Sequence, residues 1–310
     1  MTVDAALFCQ RVSPNRDSVA FDGVSGESKA VAGMLLACPA IEPKRPNLGS
    51  QRSVAATIIV FCVVGWAPPA AAYRPFDGTD AAVADVGEVE IELQPAGLFR
   101  ENSQTTLIAP FVVYNYGFAE RWELVVQGQA ETPLTTTGPS SLTNAGVFLK
   151  YVLQPGVLQE KSGPSIATEF GPLLPGINDE QGVGFSWAGI MTQRWDWGTI
   201  NYNVETNLTR DHHAELFLDA IIEGPFKWPI RPVAEVFYDN AFGVAQEISG
   251  LIGAIWQVRD NLSFDIGLRH ALINGRPINE LRAGVTFGFP LNLGRPMRTE
   301  PTSAMPISRR

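Results

Sequence analysis

Leu281-Arg282-Ala283-Gly284-Val285-Thr286-Phe287-Gly288-Phe289 is the stretch on which the fold turns. Leu281, Ala283, Val285, Phe287 and Phe289 fall on one face of an extended chain, and Arg282, Gly284, Thr286 and Gly288 fall on the other, because successive side chains of a strand point to opposite sides. One face suits hydrocarbon and the other suits water. A soluble sandwich can show the same alternation, so the meaning of this strand depends on its neighbours.

Working back from it, the chain repeats one plan of about ten alternating residues followed by a turn. The matching stretches are 86–99, 105–116, 122–131, 144–153, 165–172, 182–193, 199–209, 215–224, 233–239, 246–258 and 262–272, and residues 280–289 close the series. No helical period competes beyond residue 86, and Gly and Pro collect in the gaps. The pattern predicts an all-β protein of about 12 strands, an even number as expected for a bacterial barrel whose ends meet on one side.

The faces say more than the count. Ile200, Tyr202, Val204 and Leu208 oppose Asn201, Asn203, Glu205, Asn207 and Thr209, while Leu262, Phe264, Ile266 and Leu268 oppose Ser263, Asp265 and Arg269. Glu88, Glu90 and Glu92 share one face of one strand; buried dry they would repel strongly, so they need water, outside a sheet or inside a wet barrel. Strands of this length suit a tilted bilayer crossing better than a soluble sheet. Tyr114, Tyr116, Phe118, Trp122, Trp195, Trp197, Tyr238, Phe287 and Phe289 lie near strand ends, where interfacial aromatic girdles belong. The turns at 117–121, 194–198 and 259–261 are tight, whereas 132–143 and 173–181 are longer and polar; 154–164 and 225–231 depart from this asymmetry. The fold class predicted is an antiparallel transmembrane β-barrel, with a periplasmic all-β protein as the other architecture.

No run of the 310 residues is apolar for long enough to make a membrane-spanning helix. The longest apolar run, 54–66, follows Lys44, Arg45 and Arg52 and leads into Ala67-Pro-Pro-Ala-Ala-Ala72, which reads as a secretory signal peptide over 52–72. Residues 1–51 then form an N-terminal extension, disordered or upstream of the true start, with Met34 a candidate start. Residues 73–85 are polar and Gly-rich and read as a periplasmic N-terminal segment, 86–290 as the barrel, and 291–310 as a basic, Pro-containing disordered tail. Cys9, Cys38 and Cys62 all precede the cut, so the exported part has no thiol for a disulfide, a metal or a nucleophile. From Tyr73 onward 17 Lys and Arg stand against 27 Asp and Glu, a net charge of −10, which argues against nucleic acid as a partner.

If the polar faces line a lumen, they bring Glu90, Glu92, Glu123, Glu169, Glu205, Asp219, Glu235 and Asp265 to it, against Lys150, Arg269 and Arg282. Carboxylates in that excess favour passage of cations or neutral solutes over anions. The opposite reading pairs these charges into a plug, because a barrel of 12 strands is narrow; the protein would then be a structural or binding barrel. Catalysis finds little support. His212 and His213 sit in a polar turn beside Asp211, and His270 ends a strand with no nucleophilic Ser spaced to meet it. Neither a metal nor a cofactor is expected.

Arg282, Gly284, Phe287 and Phe289 occupy the order polar-x-Gly-x-x-aromatic-x-aromatic. It resembles the closing-strand signal read by the barrel assembly machinery of bacterial outer membranes. Three further stretches carry a wider resemblance: Arg74-Pro-Phe with Thr79-Asp-Ala81 ahead of Asp85-Val-Gly-Glu-Val-Glu-Ile-Glu-Leu93, the turn Tyr116-Gly-Phe-Ala-Glu-Arg-Trp-Glu123, and Val258-Arg-Asp-Asn-Leu-Ser-Phe-Asp-Ile-Gly-Leu268. Over roughly residues 73–290 the chain is similar to the outer-membrane barrels grouped as transporters of the phenol-degradation meta-pathway (MetA-pathway) type. That resemblance implies a barrel in the outer-membrane lipid that passes small molecules, aromatic or hydrophobic ones among them, and it carries over no binding residue. The N-terminal extension and the tail depart from the family pattern. The function expected is passive passage of a small-molecule solute across the bacterial outer membrane.

Overall fold

The computed structural model describes residues 74–291; the predicted extension and signal peptide, and the tail beyond Leu291, lie outside the described residues. Each alternating run becomes a strand. In chain order these are β1 Glu88–Glu101, β2 Gln104–Ala119, β3 Trp122–Pro133, β4 Ser141–Gln154, β5 Ser165–Leu173, β6 Gly184–Trp195, β7 Gly198–Leu208, β8 Ala214–Glu223, β9 Ile230–Ala241, β10 Ala245–Arg259, β11 Leu262–Ile273 and β12 Arg276–Pro290. Every strand pairs antiparallel with its sequence neighbours, and β12 returns to β1 from Glu88↔Pro290 to Glu101↔Ile278, closing the barrel. Closure satisfies each ladder from within and leaves no open edge, which is what a hydrocarbon solvent demands. The architecture is the antiparallel transmembrane β-barrel expected, with all 12 strands present.

Polarity is inverted relative to a soluble protein. On the outside Ile248, Ile252, Val236 and Leu268 are all more than half exposed, whereas inside Glu235, Arg269 and Arg282 are each under 5% exposed. So continuous an apolar exterior is far larger than water tolerates. The Phe118–Trp122, Trp195–Trp197, Trp256–Phe264 and Phe287–Phe289 ring contacts all lie towards one end of the strands, the end that also holds the start of β1 and the end of β12. We call this the terminal side and the opposite end the loop side.

The loop lengths differ from the sequence expectation. Tight turns occur at both ends, including Asn274-Gly275 on the loop side, where both residues have positive φ (49° and 77°) as a two-residue hairpin turn requires. The longest connections are 174–183 on the loop side and 155–164 on the terminal side, the latter carrying a short 3-10 turn, Val157–Gln159.

Residues 74–85, read from the sequence as a periplasmic N-terminal segment, lie within the barrel. They thread its interior from mid-height to the terminal mouth before entering β1. Phe76 is buried against Ile221, Val233, Leu251 and Ile255, and Ala81, fully buried, packs against Ala167, Ala188 and Ile190. The segment has no strand period because no neighbouring strand pairs with it; inward-facing side chains satisfy its backbone instead.

Candidate functional site

The interior is built around Asp77. Its carboxylate lies 2.9 Å from Arg282 Nη2 and 3.6 Å from Arg269 Nε. Both arginines also meet the wall: Arg269 donates to Glu280 (3.0 Å), Ser249 (2.9 Å) and Glu247, and Arg282 donates to Glu280 (3.0 Å) as well as to the Pro75 carbonyl of the segment (2.9 Å). Neighbouring backbone groups find wall acceptors as well. Glu235 Oε1 accepts from the N–H of Asp77 at 2.7 Å and of Gly78 at 2.9 Å, while the Ala81 N–H donates to Thr192 Oγ1 at 2.9 Å and the Ala84 N–H to Glu123. Buried N–H groups are costly to leave unpaired, so these wall residues act as the segment's missing sheet partners.

Further pairs fix either end of the plug. Arg74 lies 3.6 Å from Asp265, donates to Gln94, and sits 5.6 Å above the Phe111 ring. Lys150 donates to Thr79 Oγ1 at 3.1 Å and lies 3.8 Å from Asp80. Asp219 accepts from Asn203 at 2.9 Å and crowds Gly78 so closely that any side chain at 78 would collide with it. Glu205 accepts from Ser186 at 2.9 Å, and Glu92 from Asn115 at 3.1 Å. Glu90 and Glu169 face a cavity of about 940 Å³ at the terminal mouth, between the segment and the wall. The structure therefore turns all 11 candidate lumen residues inward, and Glu123, Lys150, Glu235, Asp265, Arg269 and Arg282 all hold the inner segment.

Sequence reasoning left Arg74, Asp77, Asp80, Glu247 and Glu280 out of the candidate lumen residues, although the alternation puts Glu247 on the polar face of its strand. The last two carried a signal: Glu280 shares the phase of Arg282 and Glu247 that of Ser249. The three segment residues carried none, since Asp77 reaches Arg282 across 205 positions of chain. Gly284, read from the sequence as part of an assembly signal, has a packing reason to be glycine. A Cβ there would collide with Arg74 Nε and the Asp265 carboxylate.

Outside the spanning strands, Glu180 in the loop 174–183 is buried beside Asp211, Asp179 and Glu215. Burial first, and those negative charges next, raise its carboxyl to about 8. Arg210, which donates to the carbonyls of Leu174 (2.6 Å) and Ala145 (2.7 Å), ties β4, β5 and β7 together at the loop side. His212 and His213 stand exposed in the adjoining turn. Among the described residues no three His, Cys, Asp or Glu side chains converge as a metal site.

No family model matches the chain, and no curated protein matches it. Among solved structures it is similar to the KdgM porin, at 13% identity and a TM-score of 0.45 over 64% of this chain and 99% of that one. It is also similar to the COG4313 outer membrane channel from Pseudomonas putida F1, at 11% identity and a TM-score of 0.46 over 69% and 100%.

Proposed function

We propose that this chain is a bacterial outer-membrane channel for passive passage of small molecules, and that its own inner segment, residues 74–85, holds the lumen shut. The observation that carries the reading is the way the interior is filled. The charged wall is bonded in part to itself, as Arg269 and Arg282 are through Glu280, and in part to a separate run of chain that reaches it through side-chain bonds centred on Asp77. A run held this way can leave without breaking any barrel ladder. The surplus of inward carboxylates supports passage of cations or neutral solutes over anions. On the loop side of Arg74 one part of the interior is apolar, with Phe99, Ile108, Phe111, Phe148, Ile273 and Ile278 in one cluster opposite buried Glu215, Asp239 and Glu247; the cluster, with the resemblance to phenol-pathway transporters, supports small aromatic or hydrophobic solutes. The filled centre also favours a second reading, a structural or binding barrel that never opens.

Localisation and selectivity are tested together. The protein should fractionate with outer membranes and migrate differently before and after boiling, and once the segment is released, as in Asp77→Ala, it should show a cation-selective reversal potential in a planar bilayer under a KCl gradient. Solubility without detergent would overturn the membrane assignment, and an anion-selective potential would overturn the role given to the carboxylates.

A further inference from the structure

On the loop-side halves of the described strands, every Asp, Glu, Lys and Arg takes the inward phase except Arg100, which is exposed on the outer face of β1 between Phe99 and Glu101. A charge on the lipid face of a barrel is costly at mid-depth and is tolerated near the interface, where headgroups can meet it. Arg100 has polar company there. Strand pairing sets it directly across from Asn279 of β12 and Thr105 of β2, and sets Asn279 across from His270 of β11, so four polar side chains form one outward row over four adjoining strands. His270 Nδ1 and Asn279 Oδ1 lie 3.0 Å apart, which leaves the Asn279 amide nitrogen as a donor with no acceptor among the described residues. Arg100 uses only its Nε, on the Asn102 carbonyl at 3.3 Å, and forms no ion pair with a described residue.

The row is set into apolar surface rather than into the water-washed rim. Leu272 and Pro277, paired with each other, face outward between the His270 and Asn279 pair and its turn. Two residues the other way runs a second row, Leu268, Leu281, Leu98 and Leu107, paired across the same four strands in the same order; Leu268, Leu281 and Leu98 are all exposed. Hydrogen-bond donors in one row and branched aliphatics in the next, about 7 Å below by the two-residue strand repeat, match a lipid headgroup and the upper part of its chains. The width says which lipid. Four strands cover three spacings, about 14 Å, broader than the two chains of a phospholipid and suited to a multi-chain glycolipid whose phosphates meet the guanidinium while its sugar hydroxyls meet Thr105, Asn279 and His270.

We propose that this outer face of β11, β12, β1 and β2 docks the phosphorylated glycolipid of the outer leaflet, with a phosphate on Arg100 and Asn279 and acyl chains along the leucine row. The inference rests on the outer-membrane reading, in which the chain ends lie in the periplasm and the loop side faces out, and not on conduction. Native mass spectrometry of the detergent-purified full chain, titrated with lipid A, should show one lipid A retained per barrel, and lipid A stripped of its phosphates should bind at least about tenfold more weakly. Arg100→Gln should weaken binding about tenfold or more, Asn279→Leu should weaken it in the same direction, and Arg259→Gln, on the terminal side, should leave it unchanged. Each variant is checked for a heat-modifiable folded band; if Arg100→Gln loses that band, Asn279→Leu reads the same row. Undiminished binding of the dephosphorylated lipid, equal retention of phosphatidylglycerol, displacement of lipid A by an equal concentration of inorganic phosphate, or full binding in the row variants that fold would each overturn the proposal. A missing lipid A adduct leaves the channel reading intact, a silent bilayer leaves this site intact, and solubility without detergent would remove both.

Discussion

At Asp77 the chemistry of one residue reaches three strands at once. Its carboxylate completes the coordination of Arg269 and Arg282, while its own N–H depends on Glu235. Removing one partner of a buried pair costs about 3–5 kcal/mol, because the survivor is left charged and unpaired. Which way each wall residue faces was legible in the sequence, since Arg269 and Arg282 keep strict phase with their strands. Their partner was not, because the Arg-Pro-Phe-Asp run has no phase to read. Gly284 shows how a motif can hide a packing constraint: its place in the closing-strand pattern was visible, but the Arg74 and Asp265 atoms that fill its Cβ position came from far away in the chain.

Glu180 gives the residue scale a pH signature. Its carboxyl is raised to about 8 in the folded loop, against about 4.3 in an unfolded chain. The folded loop therefore holds a proton that the unfolded one releases. The loop is most stable below the unfolded value and loses stability as pH climbs through about 8. Hydrogen-exchange protection across 174–183, corrected for the intrinsic base catalysis of amide exchange, should fall markedly from pH 6 to pH 9, and Glu180→Gln should flatten that fall. Equal corrected protection at both pH values in the native chain would contradict the burial of this side chain.

At the scale of elements, period-two reading found every strand because each has one face in the interior and one outside. It erred mainly at the ends. β9 was expected to begin at 233, yet it begins at Ile230 and includes Pro232. Pro232 is tolerated because the β8 ladder stops at Glu223↔Val233, so its missing N–H faces no β8 partner. The inner segment could not be found this way at all, since its partners are single side chains on many strands. At Gly171, β5 comes close against the β4 backbone. A Cβ at Gly171 would run into the Val147 carbonyl and the Phe148 Cα, whereas one at Gly128 in β3 meets nothing within 4 Å. Gly171→Val should therefore prevent closure and abolish the heat-modifiable folded band, and Gly128→Val should keep it. Equal behaviour of the two variants would mean that the β4–β5 contact is not a closure constraint.

Across the whole molecule, an apolar exterior and a charged interior leave a barrel that its β1–β12 ladder closes and that the segment within it partly fills. Composition and alternation made the ladder legible. They could not make the inner segment so, because a plug of this kind is specified by long-range pairs rather than by local pattern. The account stands most directly on whether that plug gates the lumen. Single-channel recording of the native chain and of Asp77→Ala in planar bilayers decides it. The native protein should be nearly silent, and the variant, still heat-modifiable, should open in well-resolved steps several times larger. Identical conductance in the two would contradict the account, since the lumen would then be set by something other than the segment that Asp77 holds.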